Sequence, residues 1–175
     1  MYVLEKGLMN GTAEDEFNPD MTLTRAMIVM ILYNHSGKPD VSGVNNPFND
    51  AADGRWYRDA VIWAADNDIV QGYGDGIFGV EDPVTRQDLA VILLRYMKLL
   101  GVSLPVTQQY VMFADDADIA GYASAAVQTL NILGVIRGTG TDESGRIIIN
   151  PAGEATRAEA AAMLHRFIEA ISAAG

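Results

Sequence analysis

The sequence predicts an all-α array of three stacked repeats. The chain states one pattern three times: a glycine-containing turn, an apolar loop residue, a short extended piece, then Thr-Arg opening an apolar helix. Phe17 to Arg25, Phe78 to Arg86 and Ile149 to Arg157 are each 8 positions apart. Gly11 to Arg25 and Gly72 to Arg86 are each 14, whereas Gly138 to Arg157 is 19, so the third loop carries five additional residues. The helices after Thr-Arg are apolar over most of their circumference, as helices buried on most faces are. Finally, 175 residues with 49% hydrophobic content suffice for a sizeable core, yet no short helical unit buries a face alone. Stacking solves that problem, with the three Thr-Arg helices together at the centre and two further helices outside them.

In chain order, residues 1 to 9 read as the tail of a helix already under way, with Tyr2 opposite Trp63. The first copy then lacks the front half that the second has in Phe48 to Ile62, and the chain reads as a fragment or processed piece. A helix follows over Thr24 to Tyr33, stopped by Asn34-His35-Ser36-Gly37 with glycine at the position after the cap. The second copy opens with Phe48-Asn49-Asp50. A helix from about Arg55 to Asn67 follows, with Trp56, Ala60, Trp63 and Ala64 on one apolar stripe. After the glycine-rich turn at 72–76 comes a helix over Arg86 to Leu100, facing inward through Leu89, Ile92, Leu93, Tyr96 and Leu100. The third copy restarts at Phe113-Ala114-Asp115, with a helix over Gly121 to Leu133 and a small hairpin around Ser144-Gly145. Its last helix, Arg157 to about Ser172, faces inward through Ala160, Leu164, Phe167 and Ile171. The expected organisation is one domain over 1–175, with a partial repeat at 1–40 and full repeats at 48–101 and 113–173.

Charge narrows the function. Twelve basic against 23 acidic residues give a net charge of -11, which disfavours nonspecific binding to nucleic acid or an anionic membrane. There is no cysteine, so disulfides and thiolate metal sites are excluded. No apolar run approaches the ~20 residues of a membrane span, and MYVLEKGLMNG places no basic segment ahead of an apolar one.

The Thr-Arg pair is the informative motif. Thr156-Arg157-Ala158-Glu159 reads as a capping box, Thr85-Arg86-Gln87-Asp88 as a shorter-armed version, and Thr24-Arg25-Ala26-Met27 keeps only the threonine. An arginine at the first helical position sets a positive charge against the positive end of the helix dipole, where an acidic residue is favoured by about 0.3–1 kcal/mol. The chain makes that choice three times. Free helix-start N–H groups beside a guanidinium would seat an anion such as a carboxylate, with nearby glycines admitting a ligand and an aromatic packing on a sugar face.

Phe-x-Asp, a Trp-containing helix, a Gly-Tyr-x-Asp-Gly-x-Phe turn and a Thr-Arg-Ala-Glu helix start together resemble the S-layer homology domain. The second copy is closest, through Phe48-Asn49-Asp50, Trp63-Ala64, Gly72-Tyr73-Gly74-Asp75-Gly76-Ile77-Phe78 and Thr85-Arg86. The resemblance covers nearly the whole chain. It implies a pseudo-threefold, all-helical domain with a central three-helix bundle, peripheral helices, short loops and grooves between units. It also implies noncovalent attachment of a bacterial surface protein to an anionic cell-wall polysaccharide, often one bearing pyruvylated amino sugars. Extracellular localisation follows, with any signal outside this chain, and no cofactor or metal is implied. The ligand positions it carries over are Arg25, Arg86 and Arg157 with Thr24, Thr85 and Thr156. Beside them stand the loop residues Gly11, Gly72, Gly138 and Tyr73, together with Asp50 and Trp63. Departures are Met27 and Asp88 in place of Glu, Tyr122 in place of Trp, and a third loop without the Gly-Tyr-x-Asp-Gly-x-Phe form. Fewer than three functional pockets are expected, with the one at Arg86 foremost.

Two other classes compete. Asp50 with Asp53, and Asp115, Asp116 and Asp118, are carboxylate pairs of the kind glycoside hydrolysis uses, but they precede predicted helices, where Asp is an ordinary first-turn residue. His35 and His165 lack companions for a triad or metal site, and Asp142-Glu143 and Asp115-Asp116 lack EF-hand spacing for calcium. Trp56 and Trp63 read as core before sugar platforms. A self-association or assembly module is the remaining alternative, through apolar surface that an incomplete first repeat would expose.

Overall fold

The computed structural model describes residues 18–174, which are mostly helical. The helices are α1 (Arg25–His35), α2 (Arg58–Asp66), α3 (Arg86–Leu99), α4 (Gly121–Ile132) and α5 (Arg157–Ala174), with a short 3-10 turn at Asp116–Asp118 before α4. Among the described residues the sheet content is one antiparallel pair, β1 (Gly140–Thr141) with β2 (Ile147–Ile148). The all-α prediction holds. The helical tail at 1–9, Gly11 and Phe17 lie outside the described residues.

The chain divides into two compact units, Met1–Val84 and Thr85–Gly175. In the first, α1 packs on α2, with the rings of Tyr33 and Trp63 5.6 Å apart. Ala26, Ile28, Val29 and Leu32 are all buried, which accounts for the apolar character of α1 on nearly every side. The predicted stop is a Schellman motif: Ser36 is the cap, Gly37 has φ 78°, Gly37 N–H donates to Asn34 O (3.1 Å) and Lys38 N–H to Tyr33 O (3.0 Å). In the second unit α3 packs on α4, and Tyr96 of α3 lies 6.2 Å from Phe167 of α5. Leu89, Ile92, Leu93 and Tyr96 are buried as expected, as are Ala160, Leu164 and Phe167, while Leu100 and Ile171 are half-buried.

Two expectations need correction. The second-repeat helix starts at Arg58, not near Arg55, because 53–57 is taken up in turns. Trp56 therefore sits ahead of the helix, 54% exposed and edge-on to Tyr57, and is not core. The hairpin at 140–148 is present, and it absorbs the five additional residues of the third loop. Its tip is held by Asp142, whose carboxylate accepts from the N–H groups of Ser144 (2.9 Å) and Arg146 (2.8 Å).

Candidate functional site

The two glycine loops among the described residues are shaped by the same three devices. Gly72 and Gly138 occupy equivalent places. A Cβ on Gly72 would run into Ile77 O and the Phe48 ring, and one on Gly138 into Ile147 and Ile148 O. The chain behind each is closed by matching bonds, Tyr73 N–H to Ile77 O (2.8 Å) and Thr139 N–H to Ile148 O (2.8 Å). The Phe-x-Asp motif then clamps the loop exit. Asp50 accepts from the N–H groups of Phe78 (2.8 Å), Gly79 (2.7 Å) and Val80 (3.3 Å); Asp115 accepts from Ile149 (2.9 Å) and Asn150 (2.7 Å). Burial opposes ionisation of Asp50, but the three backbone donors outweigh it and hold its carboxyl below the usual range.

The loop so formed receives the Thr-Arg helix start of the preceding copy. Arg25 N–H donates to Asp82 O (2.9 Å) and Ala26 N–H to Val80 O (3.2 Å); Arg86 N–H donates to Gly153 O (2.9 Å) and Gln87 N–H to Pro151 O (3.0 Å). The third N–H of α1 and α3 goes to the capping hydroxyls of Thr24 (3.3 Å) and Thr85 (3.2 Å). At these two helices the anticipated free N–H groups are already taken by the protein, so an anion must be met by side chains. At α5 the capping box is complete: Glu159 N–H donates to Thr156 Oγ1 (3.2 Å) and Thr156 N–H to Glu159 Oε2 (3.0 Å). The shorter Asp88 instead accepts a hydrogen bond from the Thr85 hydroxyl (2.6 Å).

The three arginines are buried, at 7%, 5% and 5% exposure for Arg25, Arg86 and Arg157. The Nε of Arg25 donates to Phe78 O (2.9 Å) and that of Arg86 to Ile149 O (2.7 Å). Each acceptor is the loop apolar residue of the following copy, so at Arg25 and Arg86 the arginine has a structural cause: it staples one copy to the loop of the next. Beyond that shared bond the two sites differ. Arg25 gives Nη2 to Gln71 O (2.7 Å) and lies between the rings of Tyr73 and Phe78, 4.7 and 4.6 Å from their centroids. Arg86 faces Glu159 (Nη1 to Oε1, 3.1 Å) and lines a cleft of about 230 Å³ together with Arg137, Arg166 and the Gly138-Thr139 backbone. Burial lowers the pKa of Arg86 while Glu159 raises it, and burial alone lowers that of Arg157.

The structure thus brings Arg86, Glu159 and Gly138 to one cleft, and Arg25, Gly72 and Tyr73 to one loop, with Tyr73 64% exposed. Trp63 lies in the core against Tyr33, and Asp50 faces loop N–H groups. Arg137 and Arg166 escaped sequence reasoning. The available signal was that Arg137 stands one residue before the loop glycine, where the second copy has Gln71, and Arg166 nine after Arg157. The carboxylates weighed as a catalytic pair have other partners: Asp53 pairs with Arg58, and Asp116 accepts from the Tyr110 hydroxyl. Among the described residues no group of three metal-ligating side chains exists.

The S-layer homology domain signature matches residues 1–26, 47–90 and 113–161. These segments make up more than half of the sequence and carry all three Thr-Arg starts. The chain belongs to the S-layer homology domain family. It is 29% identical over 163 residues to the exoglucanase XynX of Acetivibrio thermocellus, covering 93% of this chain and 14% of that protein. It is 28% identical over 171 residues to the surface-layer 125 kDa protein of Lysinibacillus sphaericus, covering 98% and 14%. To the cellulosome-anchoring protein of Acetivibrio thermocellus it is 28% identical over 157 residues, covering 87% and 33%. The chain therefore spans a third or less of these relatives. Proteins with different names share this portion, which is a surface module of S-layer homology type. Among the described residues no helix is long and apolar enough to cross a membrane.

Proposed function

We propose that this S-layer homology domain is a noncovalent anchor that binds an anionic cell-wall polysaccharide, with the acidic substituent seated in the cleft at Arg86. The observation that carries this reading is the cleft itself. In a chain of net charge -11, it gathers Arg86, Arg137 and Arg166 around one carboxylate, Glu159. A local field of that sign attracts an anion despite the global charge, because screening at physiological salt confines distant charges to about 8 Å. A pyruvyl ketal on an amino sugar, as the family resemblance implies, supplies a carboxylate of suitable size. Organisation as one domain with repeats at 1–40, 48–101 and 113–173 belongs to the same proposal.

Pelleting with purified walls tests it. The protein should sediment with native walls and release no reducing sugar from them. It should stay in solution after mild acid has removed ketal pyruvate, and Arg86→Ala should weaken sedimentation by tenfold or more, on the order expected for a charge-assisted bond. Undiminished binding to acid-treated walls would sink the proposal.

A further inference from the structure

The cleft holds more positive charge than one carboxylate can balance. Arg86 is compensated from within, by the 3.1 Å contact to Glu159, whose other oxygen is engaged by Thr156 N–H. That leaves Arg137 and Arg166. Arg166 is half-buried on α5 and gives Nη1 to Val135 O (3.1 Å), a neutral acceptor. Burial and then the charges of Arg137 and Arg86 hold its guanidinium below the ordinary value, so the two lining arginines are felt there as like charges. Arg137 is exposed at the cleft mouth, beside Gly138, and has no hydrogen-bond partner among the described residues. Two guanidinium groups that lack a carboxylate and face one space repel each other, and a ligand removes that repulsion best if it carries two charges.

Resting on the anchoring reading above, we infer that the cleft recognises a doubly charged acidic group, and that Arg137 and Arg166 are the specificity-determining residues that receive its two charges. The chemistry is that of two neighbouring carboxylates on the glycan, the ketal pyruvate and a second acid beside it. Arg86 holds the Ile149 loop and Glu159 in place, and the two outer arginines discriminate by charge.

Competition for wall binding separates these claims. At pH 7.5 and matched ionic strength, malonate, which is dianionic, should displace the protein from walls at concentrations roughly tenfold below those of acetate, the difference of one charge-assisted pair. Arg137→Gln, at an exposed position with no bond to lose, should fold normally and bring the malonate-to-acetate ratio close to one; Arg166→Gln should do the same. A loss of fold would lower potency for both anions and leave the ratio unchanged, so the ratio reports recognition alone. If malonate and acetate displace wild type equally, the two-charge inference is overturned while the anchoring reading stands. If wild type does not bind walls, both fall. Where the ratio holds, wall binding should survive alkaline phosphatase treatment; its loss would show a phosphate monoester in the cleft and overturn the paired-carboxylate assignment.

Discussion

Asp50 shows how a residue can look chemical in the sequence and be structural in the fold. Its carboxylate gathers three backbone N–H groups of the loop exit, donors that would otherwise lose their partner in a part-buried turn. Asp50→Ala should lower unfolding free energy by about 2 kcal/mol in urea titrations, since leaving partly buried donors unpaired costs about 1–3 kcal/mol. Asp53→Ala, which breaks only an exposed pair with Arg58, should fall within about 0.5 kcal/mol of wild type. The pH dependence has a definite sign. The folded pKa of Asp50 is lowered from 3.8, so its contribution is complete above that value and is lost as pH falls through the lower folded value. Asp50→Asn should therefore narrow its stability deficit as pH drops below about 4, as thermal melts between neutral and acid pH would show.

At the element scale, sequence reasoning placed helices well where a cap chemistry marks them. Threonine caps with a first-turn acid located the starts of α3 and α5 to the residue, and Gly37 located the end of α1. It failed at α2, where Trp56 continues an apolar stripe backward in sequence although turns occupy 53–57; periodicity has no means of seeing where a helix is nucleated. The glycine loops were seen as ligand-admitting, whereas Gly72 is required by packing under Ile77 O and Phe48. Gly72→Ala should cost roughly 2 kcal/mol or more, because a backbone oxygen cannot move aside as a side chain can. Gly43→Ala, with open space around its Cβ position, should be close to neutral. Thr156→Ala should cost about 1 kcal/mol by opening the capping box. It should also weaken wall binding, because the Glu159 that the box orients is the partner of Arg86.

At the scale of the whole molecule, the compact units are out of phase with the sequence repeats. The division falls between Val84 and Thr85, inside the second repeat, because a Thr-Arg helix start bonds to the loop of the following copy and not to its own. Spacing alone revealed the recurrence but not which copy serves which, since that is decided by bonds from arginine side chains to backbone carbonyls made over 46 to 63 positions. The same limit hid Arg137 and Arg166, which join Arg86 only once that pairing exists. Binding kinetics should carry the imprint of both charge scales. The molecule as a whole, at -11, repels a polyanion at long range, while the arginine cleft attracts it at contact. Raising salt from about 10 mM to about 150 mM shortens the screening length from about 30 to about 8 Å. Association with immobilised wall polymer should therefore speed up over that range, because global repulsion is removed first. Dissociation should speed up as well, because the contact pairs are weakened, so affinity passes through a maximum at intermediate salt. Biosensor traces in which association slows steadily with salt would mean that long-range attraction guides the encounter, which the cleft could not supply against the charge of the remaining surface.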